Sequence, residues 1–215
     1  MAKQRLNVLF LSSEVAPLAK TGGLADVAGS LPQALAARGL DVRVAMPRYR
    51  FIRRADYLVD LPVEMDGSYE TAIVRKTTLP SVRQGDQPPV PVYLVDNYKY
   101  FYRDALYGYP DEGARFNFFC KAVLQMLPRL NFRPDVIHCN DWQTALVPVF
   151  LRLKLADDPY YRGIATLLTI HNLQYQGHFP REMMRTLSLD EEHFNPEELE
   201  FWGKVNFLKG GLVYA

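Results

Sequence analysis

Lys20-Thr21-Gly22-Gly23-Leu24-Ala25-Asp26 is the stretch that decides the fold, because of the segments on either side of it. The apolar run 6–11 before it predicts a strand, and the Ala- and Leu-rich run 24–38 after it predicts a helix that ends at Gly39. A glycine loop between a strand and a helix start presents backbone N–H groups to an anion, and Lys20 adds a positive charge. The stretch therefore predicts either a diphosphate site or a tight turn that uses glycine only for its shape.

Strand-like and helix-like segments alternate along the rest of the chain. We expect strands at 41–46, 69–79, 90–95, 135–138 and 165–170, and helices at 114–130, 142–155 and 197–214. Such alternation predicts parallel strand pairing with right-handed crossovers, and hence a doubly wound, mostly parallel, Rossmann-like α/β sheet with helices on both faces. The strands at 69–79 and 90–95 show polar alternation and predict an antiparallel hairpin at the sheet edge, with 84–89 as its loop.

Composition excludes several functional classes. Lys and Arg number 25 and Asp and Glu 24, a net charge of +1 that gives no whole-chain attraction to nucleic acid or to an anionic membrane. Two cysteines are too few for a disulfide scaffold and suit a reducing compartment. We recognise no signal peptide, transit peptide or membrane span, and so expect a cytoplasmic protein, or a plastid one if the source is a plant.

Polar side chains follow three of the predicted strands at the points where those strands end. They are Glu14 and Lys20, then His138, Asn140 and Asp141, then His171 and Asn172. Because doubly wound sheets bind their ligands at the carboxyl ends of parallel strands, we expect these clusters to meet on one rim.

The residues alone leave several roles open for these clusters. His171 is placed either to contact a ligand or to be satisfied by backbone, and Asp141 is placed to cap the helix predicted from Trp142. Cys139 with His171 could form a nucleophilic pair, although nothing in the sequence supplies oxyanion donors. The same residues with His138 could be metal ligands, but their spacing matches no metal motif, and we expect no metal.

Six sequence blocks resemble bacterial glycogen synthases and plant starch synthases, and they keep the order of that family. They span 13–17, 20–26, 104–108, 138–146, 169–177 and 209–215. The resemblance implies a retaining, metal-independent glycosyltransferase of the GT-B type that needs no cofactor. It would move glucose from ADP-glucose to the non-reducing end of an α-1,4-glucan such as glycogen or starch.

The resemblance covers only the first of the family's two domains. Residues 1–215 are similar to the N-terminal, acceptor-side domain, and the C-terminal nucleotide-sugar domain is absent from this chain. The uncapped apolar end at 212–214 also predicts a cut chain. Without the second domain, the cleft neither excludes water nor aligns the donor with the acceptor. We therefore expect this piece to be inactive alone.

The site residues that the resemblance implies fall into three groups. Those at the reacting sugar are His171 and Asp141; those for the donor are Lys20, Gly22, Gly23, Asp26 and Asn172; those along the acceptor are Glu14 and Tyr107. One departure stands out, because Asn140 occupies a position where many members carry a second histidine.

Two other functions compete with a glucan synthase. One is a stand-alone sugar- or nucleotide-binding module without catalysis. The other is a different GT-B transferase that acts on a small-molecule acceptor, which the blocks around Trp142, His171 and Lys209 disfavour.

Overall fold

The computed structural model describes residues 5–80 and 89–215, and seven of its strands form the main sheet. In chain order they are β1 (Asn7–Leu11), β2 (Asp41–Pro47), β3 (Asp56–Met65), β4 (Ser68–Thr78), β5 (Pro91–Asp96), β6 (Val136–Asn140) and β7 (Ala165–Thr169). They lie side by side in the order β3-β4-β5-β2-β1-β6-β7.

The parallel part of this sheet has the doubly wound order. The pairs β5–β2, β2–β1, β1–β6 and β6–β7 are all parallel, so these five strands run 3-2-1-4-5 when they are counted in chain order. The order reverses between β1 and β6, and ligands of such sheets bind outside the strand ends at that reversal. The predicted α/β fold class is therefore confirmed.

Six α-helices, one 3₁₀ helix (Glu191–His193) and three further short strands complete the regular structure of the described chain. The helices are α1 (Gly23–Ala36), α2 (Tyr98–Phe101), α3 (Glu112–Arg129), α4 (Leu146–Leu153), α5 (Met183–Leu187) and α6 (Phe207–Tyr214). Right-handed crossovers on the two sides of a reversal place helices on opposite faces of a sheet. Within 5–80 and 89–215, no helix is both long and apolar enough to cross a membrane.

The predicted antiparallel hairpin exists, but it is not the edge of the sheet. β4 pairs antiparallel with β5, as expected, and β3 pairs antiparallel with β4 on the outside. Leu61, Val63 and Met65 of β3 alternate with exposed residues, but Pro62 lies within the run, and a proline there argues against a strand, so we missed β3. Asp66 and Gly67, both at positive φ, form the β3–β4 turn, a pair typical of tight hairpins. Most of the predicted loop at 84–89 lies outside the described residues.

The prediction of one helix over 197–214 is wrong in its first half. A small antiparallel sheet forms there instead, in the order β8 (His178–Phe179), β10 (Lys204–Asn206) and β9 (Glu200–Phe201). Gly203, at φ +73°, turns the chain between β9 and β10. Asn206 then caps α6, because its side chain accepts a hydrogen bond from the Lys209 N–H.

The most deeply buried strands of the main sheet are β1, β2 and β5. Four of the five β1 residues are buried, and Val92 to Val95 in β5 are buried as well. β7 is an exception to the expectation of a buried strand, since Leu167 is 50% exposed. It forms one edge of the described sheet and so has a strand neighbour only on the β6 side.

The start of α1 is held against the loop that follows β1. The Ala16 N–H donates to the Ala25 carbonyl at 2.9 Å. A Cβ added at Gly29 would stand 2.5 Å from the Ala16 carbonyl oxygen, so only glycine allows this approach. This contact places the glycine loop beside the carboxyl end of β1.

Replacing Gly29 with Ala tests that contact. We expect Gly29→Ala to lower the free energy of unfolding by roughly 1–3 kcal/mol, because the added methyl group meets backbone that cannot move freely. Urea unfolding followed by circular dichroism measures the change. The matched control is Gly23→Ala in the same helix, where an added Cβ meets no atom within 4 Å. Equal stability of the two variants would contradict the packing argument.

Candidate functional site

One cavity of about 830 Å³ opens at the carboxyl edge of the parallel strands, at the reversal between β1 and β6. Seven of the nine predicted site residues line it: Glu14, Gly22, Gly23, Tyr107, Asp141, His171 and Asn172. Lys20 and Asp26 do not line it, although Lys20 directly precedes Thr21, which does. Each of the three polar clusters therefore contributes to this cavity, through Glu14, through Asp141, and through His171 with Asn172. His138 and Asn140 do not line it, and the chemical roles of all these residues stay predictions.

Glu14 ties the glycine loop to the end of β1. Its carboxylate is 4% exposed and accepts hydrogen bonds from the backbone N–H and the hydroxyl of Thr21. Gly22 occupies the N-cap position of α1, and no side chain caps that helix. Within 5–80 and 89–215, the first-turn N–H groups of α1 thus have no capping side chain at the edge of the cavity, the arrangement suited to an anion.

Lys20 lies at the rim in an ion pair with Asp26. Its amine is 2.6 and 2.7 Å from the two carboxylate oxygens, and both side chains are more than half exposed. Exposed pairs of this kind contribute about 0–1 kcal/mol, so breaking the pair costs little. The Lys20 amine can therefore leave Asp26 and pair with an anion that binds it more tightly.

Asp141 does not cap the helix that follows, which corrects that alternative. Residues 142–145 form turns and α4 begins only at Leu146. Asp141 has φ +56°, and its Oδ1 accepts from the backbone N–H of His171 at 2.7 Å and of Asn172 at 3.4 Å. Its carboxylate thus holds the loop after β7 against the end of β6.

Two histidines face these strand ends with different surroundings. The His171 Nε2 is 2.9 Å from Asn140 Oδ1, so a side chain and not backbone satisfies the ring. His138 is 7% exposed and its Nε2 lies 2.8 Å from the Thr169 hydroxyl. Burial, and secondly the nearby His171, lowers the pKa of His138, which keeps its ring neutral near pH 7.

Tyr107 presents a protonated phenol to the cavity. Its hydroxyl is 2.7 Å from the Ser13 hydroxyl. Burial, and secondly the Glu14 carboxylate, raises the pKa of Tyr107 far above its usual range. The group can therefore exchange hydrogen bonds with a hydroxylated ligand across the whole physiological pH range.

The nucleophile and metal alternatives fit the geometry poorly. Cys139 is fully buried, and burial raises the pKa of its thiol, whereas a nucleophilic cysteine needs a lowered one. In the described part of the chain, no three His, Cys, Asp or Glu side chains gather closely enough to hold a metal ion.

Eight residues that line the cavity were missing from our prediction: Thr21, Leu24, Val27, Gly108, Glu112, Trp142, Gln143 and Tyr175. Glu112 begins α3 and accepts a hydrogen bond from the Gly108 N–H at 2.5 Å. A glutamate in the first turn of a helix after a Tyr-Gly-Tyr-Pro segment was the available signal. Trp142 packs edge-to-face on Phe116, which fixes the wall beside Asp141.

Comparison with known proteins assigns the family. Residues 7–215 match the family model described as starch synthase catalytic domain. The chain belongs to this family. The expected resemblance to glycogen and starch synthases is thereby confirmed.

Individual members of the starch synthase family agree in sequence and in fold. The chain is 63% identical over 210 residues to the glycogen synthase of Moorella thermoacetica, and 55% identical over 221 residues to that of Desulforudis audaxviator. These matches cover 98% and 100% of this chain but 42% and 44% of the relatives. The catalytic domain of starch synthase IV from Arabidopsis thaliana, bound to ADP and acarbose, matches 99% of this chain with a TM-score of 0.84 and 28% identity. This chain covers 44% of that one, so it spans less than half the length of each of these relatives.

The lowered pKa of His138 predicts a pH dependence of stability. Below about pH 6.5 the unfolded chain binds a proton at His138 that the folded chain resists, so the free energy of unfolding falls as the pH decreases from 6.5 towards the folded pKa. Urea unfolding at pH 7.5 and pH 5.5 measures this loss. His138→Gln, which does not titrate, should show a smaller loss over the same interval. An identical loss of stability in both proteins would contradict the assignment of this pH dependence to His138.

Proposed function

We propose that this chain is the N-terminal, acceptor-side half of a glycogen synthase. The whole enzyme transfers glucose from ADP-glucose to the non-reducing end of an α-1,4-glucan with retention of configuration. The main support is that seven predicted site residues line one cavity at the strand reversal, in a chain 63% identical to a bacterial glycogen synthase. The catalytic domain of Arabidopsis starch synthase IV is bound to ADP, a nucleotide, and to acarbose, a saccharide. Those ligands agree with the nucleotide sugar and the glucan that we propose here.

The charge of the cavity supports an acceptor-side role. Three carboxylates, those of Glu14, Glu112 and Asp141, line it, and no Lys or Arg is among the described lining residues. Carboxylates accept hydrogen bonds from sugar hydroxyls, and they stabilise the positive charge that develops on a glucosyl ring as its bond to phosphate breaks. The same carboxylates repel a diphosphate, so the cations for ADP must come from Lys20 at the rim and from a second domain.

Within this proposal the site residues keep the roles that the family resemblance implies. His171 and Asp141 contact the reacting glucose, and Asn172 lies beside them. The backbone N–H groups at Gly22 and Gly23 receive a phosphate oxygen, while Lys20 leaves Asp26 to pair with the diphosphate. Glu14 and Tyr107 bind acceptor hydroxyls.

We further propose a cytoplasmic location. The curated relatives named above are bacterial glycogen synthases, and a plastid location is not borne out. Cys120 and Cys139 are both unpaired and buried, as suits a reducing compartment.

A chimera tests the proposed reaction. We expect this chain, joined to the remaining part of the Moorella thermoacetica enzyme, to transfer labelled glucose from ADP-glucose to glycogen. The 215-residue chain alone should run at less than about one thousandth of that rate, because nothing aligns the donor with the acceptor. Parallel assays with UDP-glucose establish the donor preference. Transfer by the chain alone at a similar rate would overturn the prediction of inactivity.

The same assay discriminates the binding-module alternative. If the chain functioned without catalysis, it would bind maltooligosaccharides or ADP tightly by itself, and a folded chimera would transfer no glucose. Calorimetric titration of the isolated chain with each ligand provides the comparison.

Replacing Lys20 with Ala in the chimera tests the assigned donor contact. Loss of a charge-assisted bond worth about 1.5–3 kcal/mol should lower kcat/KM for ADP-glucose roughly 10- to 100-fold. The acceptor KM should change little, since Lys20 does not line the cavity. The control is Lys76→Ala on β4, an exposed lysine in the antiparallel part of the sheet. If both variants have unchanged kinetics, Lys20 has no such role.

A further inference from the structure

We propose that Asn140 fixes the tautomer of His171, so that the neutral ring carries its proton on Nε2 and presents an unprotonated Nδ1 to the cavity. Asn140 is thus a positioning residue that acts through His171. Its use in catalysis rests on the proposed function, but the tautomer itself does not.

The orientation of the Asn140 amide is determined by two carbonyl groups. Its Nδ2 donates to the Leu11 carbonyl at 2.9 Å and lies 3.3 Å from the His138 carbonyl. Carbonyl oxygens only accept, so the NH₂ group must face them. A flipped amide would set its oxygen against both carbonyls and lose these bonds. The Asn140 Oδ1 therefore faces His171.

The amide is also held rigidly in this orientation. Asn140 is completely buried at the end of β6, and its backbone N–H donates to the Thr144 hydroxyl at 2.6 Å. Leu11 ends β1, and His171 follows β7, so the one side chain links the ends of three adjacent strands. Rotating the amide would break contacts to all three.

A fixed acceptor opposite a histidine nitrogen determines where the proton lies. The His171 Nε2 is 2.9 Å from Asn140 Oδ1, and an amide oxygen has no proton to donate. Nε2 must therefore be the donor, and in the neutral ring Nδ1 then has the free lone pair. The His171 backbone N–H is held as well, by Asp141 Oδ1 at 2.7 Å, so backbone and ring are both restrained.

The tautomer specifies what His171 offers to a ligand. Among the polar atoms of the ring, Nδ1 is the one left unbound within the described contacts, and His171 lines the cavity. An unprotonated Nδ1 accepts a hydrogen bond, and a sugar hydroxyl can donate one. The other tautomer would offer an N–H to the ligand and set a lone pair against Asn140 Oδ1.

Long-range ¹H–¹⁵N correlation spectra of the ¹⁵N-histidine-labelled chain test the proposal directly. The chain has only four histidines, and loss of one set of signals in His171→Gln assigns that residue. We expect the His171 spectrum near pH 8 to show a protonated Nε2 and an unprotonated Nδ1. A protonated Nδ1, or an even mixture of both tautomers, would overturn the proposal.

Variants separate tautomer control from simple packing. Asn140→Leu removes the acceptor and should shift His171 towards a mixture of tautomers. The matched control is Thr169→Val, which removes the corresponding partner of His138 and should change His138 alone. A folded Asn140→Leu protein with an unchanged His171 tautomer would also overturn the proposal.

The failure of this inference and the failure of the proposed function are distinguishable. The spectra require no substrate, so a wrong tautomer leaves the glucosyltransferase proposal intact. An inactive chimera with the expected tautomer would refute the activity alone. If both hold, Asn140→Leu should lower kcat more than it raises the acceptor KM, because His171 is assigned to the reacting glucose.

Discussion

The parallel pairing of β1 with β6 is the constraint on which the site depends. Their register sets Leu11 opposite Cys139, and the next residue, Asn140, reaches back to the Leu11 carbonyl. This pairing brings the loop after β1, with Glu14, beside the loop after β6, with Asp141. Because the strand order reverses at this pair, the loops diverge on opposite sides and leave a crevice between them.

Hydrogen bonds between loops then shape the rim of that crevice. Glu14 holds the glycine loop through Thr21, and Asp141 holds the backbone after β7 through His171. In both cases a buried carboxylate binds backbone N–H groups that no regular strand or helix satisfies. Such charge-assisted bonds position the rim before any ligand arrives, which lowers the ordering cost of binding.

Under the proposed function, the electrostatics of the crevice are the reason to expect that this chain alone is inactive. Its described lining offers carboxylates and a phenol but no guanidinium or ammonium group, while a nucleotide sugar carries a diphosphate. This chain spans 42% of the Moorella thermoacetica relative, so more than half of that relative lies beyond the matched region. The proposed function therefore assigns sugar binding mainly to this chain and most of the phosphate binding to the remaining part of the enzyme.

The amino-acid sequence alone determined the α/β alternation, the doubly wound fold and the strand ends that would meet, since these follow from local periodicity and from the topology of parallel sheets. It did not reveal β3, where Pro62 interrupts the strand pattern, nor the hairpin at 200–206, whose Gly203 turn interrupts a helix-like pattern. Only the tertiary structure decided which atoms the polar side chains engage. Asp141 was a candidate helix cap, yet it binds the loop after β7. Asn140 stood out only as a departure from the family's second histidine, yet its side chain contacts the His171 ring. These partners are about 30 residues away along the chain, and local sequence patterns hold no information about contacts that depend on strand order and register.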